Sequence, residues 1–296
     1  MIQRHKLELF INQIPFDTLA HKISADGILL ESARQMLRTY INEMYVAYDI
    51  IEPLITRDQR ILEVGAGLCL FSLFLKNEGY DITAVEPAAG GFDIFHVSKR
   101  HILEHFAPLQ LKVLENNAQT LDPRKHGKFN LIFSNNVIEH IPEVESTLTA
   151  LTRCLTNDGI MAHGCPNYVI PYEPHLGLIV LPFFPRLSEW LFAKRIQNRQ
   201  TLWESLNFIT SFDVQRWARR HSFDVRFRPE LMYRAFKRLE EDKEFRKRQQ
   251  HTLAGRLYFL LKYSGMLRVL RHLPAALATP MIFELRFNAS LDSAPR

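Results

Sequence analysis

Cysteine is scarce in this chain of 296 residues, and cysteine spacing typical of a metal site is absent. The three cysteines are Cys69, Cys154 and Cys165, and an odd number leaves one without a disulfide partner. The sequence therefore indicates no cysteine-based metal site, and it favours a reducing compartment.

Long hydrophobic runs are also missing. No stretch of 18 apolar residues occurs, so we expect no membrane-spanning helix. Residues 1–10 alternate polar and apolar side chains and contain no small-residue cleavage site, so we expect no signal peptide. Together these absences predict a cytoplasmic protein.

The net charge of +5 is distributed unevenly along the chain. Residues 1–185 contain 15 Lys and Arg against 21 Asp and Glu, or −6, whereas residues 186–272 contain 20 against 9, or +11. The later segment is either a solvated basic face or a surface for an anionic partner, and the sequence leaves both interpretations open.

The most informative stretch is a short apolar run followed by two glycines. Ile61 to Val64 is typical of a buried strand. Gly65-Ala66-Gly67 then permits a sharp turn and the close approach of a ligand. Because Leu68 to Lys76 is compatible with a helix, the stretch predicts the first unit of a doubly wound α/β sheet. The ligand would bind at the carboxyl end of the strand.

The acids around this turn indicate which ligand it binds. Leu70 stands where a dinucleotide fingerprint has its third glycine. Glu63 precedes the first glycine by two residues, where a carboxylate suits a cationic ligand. Glu86 ends the next predicted strand, at the distance where an acid binds ribose hydroxyls. The acid-x-Gly-x-Gly pattern resembles motif I of the class I S-adenosylmethionine (SAM)-dependent methyltransferases, which implies SAM rather than NAD.

A second motif strengthens the resemblance. The predicted fourth strand, Phe129 to Ser134, runs into Asn135-Asn-Val-Ile-Glu-His140, which is similar to the strand, polar residues and Glu-His of the same family. The resemblance covers residues 57–167. It implies that the cofactor-binding residues are Glu63, Gly65, Ala66, Gly67, Glu86, Asn117, Ala118 and Asn135.

The resemblance implies an α/β fold, a Rossmann-like doubly wound sheet of seven strands with the last strand antiparallel. Asn157-Asp-Gly159 predicts the turn before the fifth strand, and single helices are expected over residues 188–206 and 253–273. The predicted segments are a helical N-terminal cover (1–56), the core (57–228, with a rim loop and cap helix at 168–208), a basic helical insertion (229–280), and the last strand with a tail (281–296).

Three histidines are candidates for catalysis. Methyl transfer from a sulfonium is an in-line displacement that depends on positioning, and a neutral hydroxyl acceptor also needs a base. His140 follows the fourth predicted strand, while His163 and His175 flank a segment with three prolines, which we expect to be stiff. The alternative is that these imidazoles only satisfy backbone groups.

A metal site is a further alternative. The small-RNA 3′-terminal methyltransferases are similar in this region and hold a metal through Glu-x-x-Glu-His and a later histidine. The matching residues here would be Glu139, His140 and His175, a carboxylate and two imidazoles. Asn136 stands where their first glutamate would be, which removes a charged ligand, so we predict no metal.

The sequence predicts a methyltransferase acting on a hydroxyl of a small molecule, a glycan or a lipid-linked precursor. Bacterial methyltransferases of cell-surface saccharide pathways resemble the chain at Pro171-Tyr-Glu-Pro-His175. Quinone O-methyltransferases share the Glu-His motif and are a second candidate. Nucleic acid is not expected because no RNA module is recognisable. A non-enzymatic SAM-binding protein stays open. The helices over 234–272 are candidates for contact with an anionic membrane surface, at the inner face of the membrane.

Overall fold

The structure, a computed structural model, describes residues 2–87, 93–180, 185–197, 199–241 and 253–288. Strands and helices alternate through the first half of the chain, as in βα units. The strands are β1 (Arg60–Val64), β2 (Asp81–Val85), β3 (Lys112–Leu114), β4 (Phe129–Asn135), β5 (Leu155–Cys165), β6 (Phe223–Phe227) and β7 (Met281–Phe287).

The α-helices follow the same numbering in chain order. They are α1 (Arg4–Gln13), α2 (Phe16–Ala25), α3 (Leu30–Ile51), α4 (Leu70–Asn77), α5 (Asp93–His105), α6 (Pro123–His126), α7 (Val144–Arg153), α8 (Pro185–Leu191), α9 (Ala193–Gln197), α10 (Gln200–Ser205), α11 (Ser211–Arg220), α12 (Leu231–Glu241) and α13 (Leu253–Tyr263). Short 3₁₀ helices cover Ala107–Leu109, Ala118–Thr120, Ile138–His140, Met266–His272 and Ala275–Leu277.

Seven strands form a mixed sheet in the order β3-β2-β1-β4-β5-β7-β6. β1 pairs in parallel with β2 and β4, and β2 pairs in parallel with β3. β7 pairs antiparallel with β6. The strand order reverses between β1 and β4, the kind of position at which open α/β sheets bind ligands. The predicted Rossmann-like sheet with an antiparallel last strand is confirmed.

The chain divides into two compact units. Unit 1 consists of Met1–Val137 and Glu143–His163, and unit 2 consists of Ile138–Pro142 and Gly164–Arg296. The segment boundaries predicted at residues 57, 229 and 281 stay predictions.

Burial explains why the central strands and helices of unit 1 form where they do. β1 and β2 each begin with one exposed charged residue, Arg60 or Asp81, and continue with four buried residues. α4 is buried from Leu70 to Leu75, as expected for a helix that is apolar on all sides. α3 is amphipathic over 22 residues, in agreement with the apolar repeat in its sequence.

The turn predicted at Asn157-Asp-Gly159 is wrong. These three residues lie within β5, which already begins at Leu155. Gly159 does not have the positive φ that Asn-Gly and Asp-Gly turns require. The polar residues Asn157 and Asp158 are exposed at this end of the strand, so the strand tolerates them.

Two predicted single helices are divided into shorter pieces. Residues 188–206 belong to α8, α9 and α10. Apolar side chains of α9 and α10 join one buried cluster with the preceding loop, which a straight helix about 30 Å long would not do. The helix predicted over 253–273 is also shorter, because α13 ends at Tyr263 and a 3₁₀ helix follows. Gly265 has φ +71° between the two, the left-handed conformation that commonly ends a helix.

Some predicted features lie outside the described residues. These are the cations Arg246, Lys247 and Arg248 and the tail after residue 288. Among the helices that the structure does describe, none has the length and apolar character needed to cross a membrane.

Candidate functional site

The glycine turn after β1 is fixed by two backbone conformations and two close contacts. Gly65 has φ +67° and Gly67 has φ +57°, both in the left-handed region that glycine adopts most readily. A Cβ on Gly65 would lie 2.4 Å from a methyl group of Val137, and a Cβ on Gly67 would lie 2.3 Å from Cε1 of Tyr40. The turn therefore requires glycine at both positions.

Glu86, the acid after β2, is held against this turn. Its Oε2 accepts the backbone N–H of Gly67 at 2.8 Å. Burial raises the pKa of Glu86, while that hydrogen bond and the ammonium group of Lys99 act in the opposite direction. Because a carboxylate offers about four acceptor sites, Glu86 can still accept hydroxyl groups of a ligand.

Glu63 has a different environment from Glu86. Its side chain is 6% exposed and accepts a short hydrogen bond from the Ser72 hydroxyl in α4. Burial raises the pKa of Glu63 to about 8, and the hydrogen bond from Ser72 lowers it only in part. The carboxyl therefore joins β1 to α4, and its predicted role toward a cationic ligand stays a prediction.

The remaining predicted residues of unit 1 lie at the ends of neighbouring strands. Ala66 is buried, and its backbone N–H donates to the Val85 carbonyl at 3.1 Å. Ala118 is buried at the start of a 3₁₀ helix, and Asn117 is exposed just before it. The Asn117 carbonyl accepts the Thr120 hydroxyl at 2.8 Å. The exposed amide of Asn117 is thus available to a ligand.

Two residues that sequence analysis did not place in the site come from α3. Glu43 Oε2 accepts the side-chain N–H groups of Asn135 at 2.6 Å and Asn136 at 2.9 Å. Tyr40 lies over Gly67, and burial raises the pKa of its hydroxyl, with the negative charges of Glu86 and Glu43 acting in the same direction. Tyr40 and Glu43 are three residues apart and therefore lie on one face of α3. This spacing is the feature of the sequence that could have predicted their shared position.

A second group of predicted residues meets in unit 2. Glu139 and His140 lie in the 3₁₀ helix Ile138–His140, and His175 lies in the proline-rich loop before α8. One ligand atom from each of the three lies within 4.8 Å of the others, and the two imidazole centroids are 5.6 Å apart. We call these three residues the histidine–carboxylate cluster.

Asn207 holds the first segment of this cluster in place. Its side-chain amide donates to the carbonyls of Ile138 at 2.6 Å and Ile141 at 2.8 Å, and its backbone N–H donates to Glu139 O at 2.9 Å. Asn167, which is fully buried, similarly donates to two carbonyls at 276 and 278. The Asn207 amide thus fixes the segment that carries Glu139 and His140, although nothing in the local sequence identifies these contacts.

The three candidate histidines have different environments. Burial lowers the pKa of His140 to about 4, with His175 lowering it further and Glu173 opposing the shift. In unit 1, burial lowers the pKa of His163 to about 3, and His163 Nδ1 lies 2.8 Å from Ser134 Oγ. All of His163 is buried, whereas the side chains of His140 and His175 are each 29% exposed.

Comparison with known proteins identifies the family. Residues 33–226, more than half of the chain, match the family described as a methyltransferase domain. The chain belongs to this methyltransferase family. The family and the site together make it a SAM-dependent methyltransferase.

Several known proteins are similar to this chain. Two proteins of Mycobacterium tuberculosis, from strains CDC 1551 / Oshkosh and H37Rv and both named as uncharacterized, are 31% identical over 209 residues, covering 68% of this chain and 70% of theirs. The SAM complex of Haemonchus contortus phosphoethanolamine N-methyltransferase 2 is similar at 14% identity and a TM-score of 0.49, over 83% of this chain. The chain spans about half of that enzyme, 52% of its length.

Another similar structure is a SAM-dependent methyltransferase from Thermotoga maritima, described as a possible histamine N-methyltransferase. It is 17% identical, with a TM-score of 0.42, over 67% of this chain and 79% of the other.

The residues present in unit 1 fit SAM as the cofactor. The glycine turn has no side chain at Gly65 or Gly67, so the backbone can approach a ligand closely. Glu86 presents a carboxylate beside that turn, which suits ribose hydroxyls. When bound, SAM supplies a methyl group activated by the sulfonium.

Proposed function

We propose that this protein transfers the methyl group of SAM to a hydroxyl of a glycan or a lipid-linked saccharide precursor. The observation that carries the proposal is the histidine–carboxylate cluster in unit 2. A hydroxyl is a weak nucleophile until its proton is removed, and imidazoles are the side chains that most often remove it. For this reason the cluster supports transfer of the methyl group to a hydroxyl oxygen.

The proposed step balances as a simple displacement. The acceptor oxygen bonds to the methyl carbon as the carbon–sulfur bond breaks, and the bonding electron pair stays on sulfur. The hydroxyl proton passes to the cluster, where His140 and His175 are the candidate acceptors. His163 fits this role less well, because its ring is fully buried and an acceptor would have to reach it.

The chain itself connects the proposed donor and acceptor residues. His140 follows Asn135, the predicted cofactor-binding residue at the end of β4, by five residues. In the proposal, unit 1 residues such as Glu86 bind the donor while the cluster handles the acceptor proton.

An exposed surface of unit 2 supports a lipid-linked acceptor. Leu260 and Tyr263 at the end of α13 are 67% and 84% exposed, and Met266 and Val269 follow at 53% and 58%. Arg268 is exposed among them. We call these five residues the apolar–basic surface. Apolar side chains beside a cation suit the interface of an anionic membrane.

Two cations within residues 234–272, Lys262 and Arg271, have partners within the protein. Lys262 forms an ion pair with Glu240, with an N–O distance of 2.5 Å. The guanidinium of Arg271 lies 4.4 Å from the ring centroid of Tyr233. Within the apolar–basic surface, whose residues the structure describes, the proposed association with the inner face of the membrane depends on Arg268 and the apolar side chains. Each cation near an anionic surface contributes about 1 kcal/mol, so the association would be loose.

The acceptor can be identified with isotopically labelled SAM. The purified protein is incubated with a cell extract, which is then separated into lipid-linked saccharide, quinone and RNA fractions for mass spectrometry. We expect an O-methylated sugar in the saccharide fraction, and no label with the Glu86→Ala variant. Label in quinones would favour the second candidate. Label in RNA, or on nitrogen, would contradict the proposal.

A further inference from the structure

We propose that Glu139, His140 and His175 bind a divalent transition-metal ion, although the sequence led us to predict a metal-free site. Two imidazoles and one carboxylate place ligand atoms within 4.8 Å of one another. This is the donor set of two histidines and one carboxylate that proteins use for ions such as Fe²⁺, Zn²⁺, Mn²⁺ and Co²⁺. Glu139 and His140 lie in a segment held by the Asn207 amide, and His175 is held by the Glu173 carboxylate.

The hydrogen bond of His175 orients its ring for ligation. Its Nδ1 lies 2.6 Å from Glu173 Oε1. A carboxylate only accepts, so Nδ1 carries the hydrogen and Nε2 carries the lone pair. Glu173 is fully buried, and it also accepts the backbone N–H groups of His175 and Leu176. Histidines that bind a metal through one ring nitrogen usually donate a hydrogen bond from the other nitrogen, often to a carboxylate, as His175 does to Glu173.

The hydrogen bonds of Ser205 assign the same tautomer to His140. The Ser205 hydroxyl donates its single hydrogen to the Leu202 carbonyl at 2.7 Å. Its oxygen therefore accepts from His140 Nδ1, which lies 2.9 Å away, and the lone pair of His140 is on Nε2. This Nε2 is 3.9 Å from Glu139 Oε1. Both histidines thus present Nε2 as a ligand, each oriented by a partner on Nδ1.

The charge balance also favours a cation. Glu139 is fully buried, and a carboxylate held away from water is stabilised by a positive charge among its neighbours. Nitrogen ligands favour transition metals over Mg²⁺ and Ca²⁺, which prefer oxygen. Three protein ligands leave positions open for water or a substrate, as in catalytic rather than structural sites.

Binding of an ion by the cluster does not depend on the identity of the methyl acceptor, but a role for the ion in methyl transfer rests on the proposed function. A divalent ion lowers the pKa of a hydroxyl that it binds. The ion would then activate the acceptor hydroxyl, whose proton would pass to water, and His140 and His175 would act as ligands in place of the free bases described above.

The test measures cobalt binding in the absence of SAM and acceptor. Protein stripped with a chelator and dialysed is titrated with Co²⁺ and followed by visible absorption, with Zn²⁺ as a competitor. We expect saturable binding of one ion per chain. His140→Ala and His175→Ala should each abolish the absorption band, and Glu173→Gln should weaken binding by about 10–100-fold, the usual effect of losing such a support.

Two controls separate loss of the site from loss of the fold. His272→Ala removes an exposed imidazole of unit 2 and should leave Co²⁺ binding unchanged. Ser205→Ala keeps both ligands and should weaken binding without abolishing it. Each protein is checked for SAM binding by calorimetry.

A wild-type protein that binds SAM but shows no saturable Co²⁺ binding would overturn the metal proposal and leave the proposed function intact. So would binding that survives both histidine substitutions. Cobalt binding without methyl transfer to any saccharide would instead keep the metal site and remove the proposed acceptor.

Discussion

The backbone N–H of Gly67 donates a hydrogen bond of 2.8 Å to Oε2 of Glu86. It joins the glycine turn after β1 to the acid that ends β2, so the two parts of the predicted cofactor site hold each other in place. Removing the carboxylate should therefore affect both the shape of the turn and the contact with a ligand.

Glu86→Ala should weaken SAM binding strongly, because hydrogen bonds to a charged group contribute about 1.5–3 kcal/mol each. We expect a loss of at least about tenfold in affinity, measured by calorimetry. Asp81→Asn, at the exposed start of β2, is the matched control. Equal affinity in the Glu86 and Asp81 variants would refute this role for Glu86.

Glu43→Gln should loosen the end of β4. The carboxylate accepts from Asn135 and Asn136 through one oxygen, and an amide oxygen in its place would be a neutral and weaker acceptor. We expect SAM affinity to fall by about 10–100-fold, from the loss of hydrogen bonds to a charged acceptor. Glu31→Gln, also on α3 but exposed, is the control. The idea fails if the two variants bind SAM equally well.

The pH dependence of stability should report on Glu63. Its pKa is about 8 in the folded protein against 4.5 for the unperturbed group, so the folded state holds a proton that the unfolded state has released. The stabilising contribution is complete below pH 4.5 and is lost as the pH rises through about 8. In the Glu63→Gln variant, the melting temperature should change less with pH between about pH 5 and about pH 9 than it does in the wild-type protein. A wild-type profile that is flat over this range would contradict the assignment.

His140→Ala and His175→Ala should lower the turnover number by roughly 10²–10⁴-fold, the usual contribution of a group that handles a proton. SAM affinity should change little, since neither histidine is among the predicted SAM-binding residues. His163→Ala should reduce the melting temperature instead, because this buried ring bonds to Ser134. Loss of stability alone in all three variants would assign the histidines a structural role.

The apolar–basic surface should bind anionic vesicles loosely. Co-sedimentation with vesicles containing anionic lipid should be seen at low salt and lost at high salt, because exposed charges are screened. Replacing Leu260 and Tyr263 with Ser and Arg268 with Gln should abolish it, while Leu9→Ser on α1, which is also exposed, should not. Absence of binding at low salt would direct attention to a water-soluble acceptor.

The sequence alone predicted the elements that depend on residues close together in the chain. A short run with apolar residues on both faces is buried only if both faces are covered, so β1 was predictable from Ile61, Leu62 and Val64. The positive φ of Gly65 and Gly67 follows from the turn that must come next. The antiparallel β7 was predictable from the apolar run after Pro280, together with the resemblance to the family. These features depend on residues close together in the chain, and local physical chemistry decides them.

Tertiary structure decided the features that join distant residues. Glu43 meets Asn135 across 92 positions, and periodicity could identify the face of α3 but not its partner. The tautomer of His140 depends on Ser205, 65 positions away, so only the folded chain shows that the lone pair of His140 is on Nε2, 3.9 Å from Glu139 Oε1. Long-range packing and hydrogen bonding select these arrangements, because many residues in the sequence offer the same donors and acceptors and only the fold brings particular ones together.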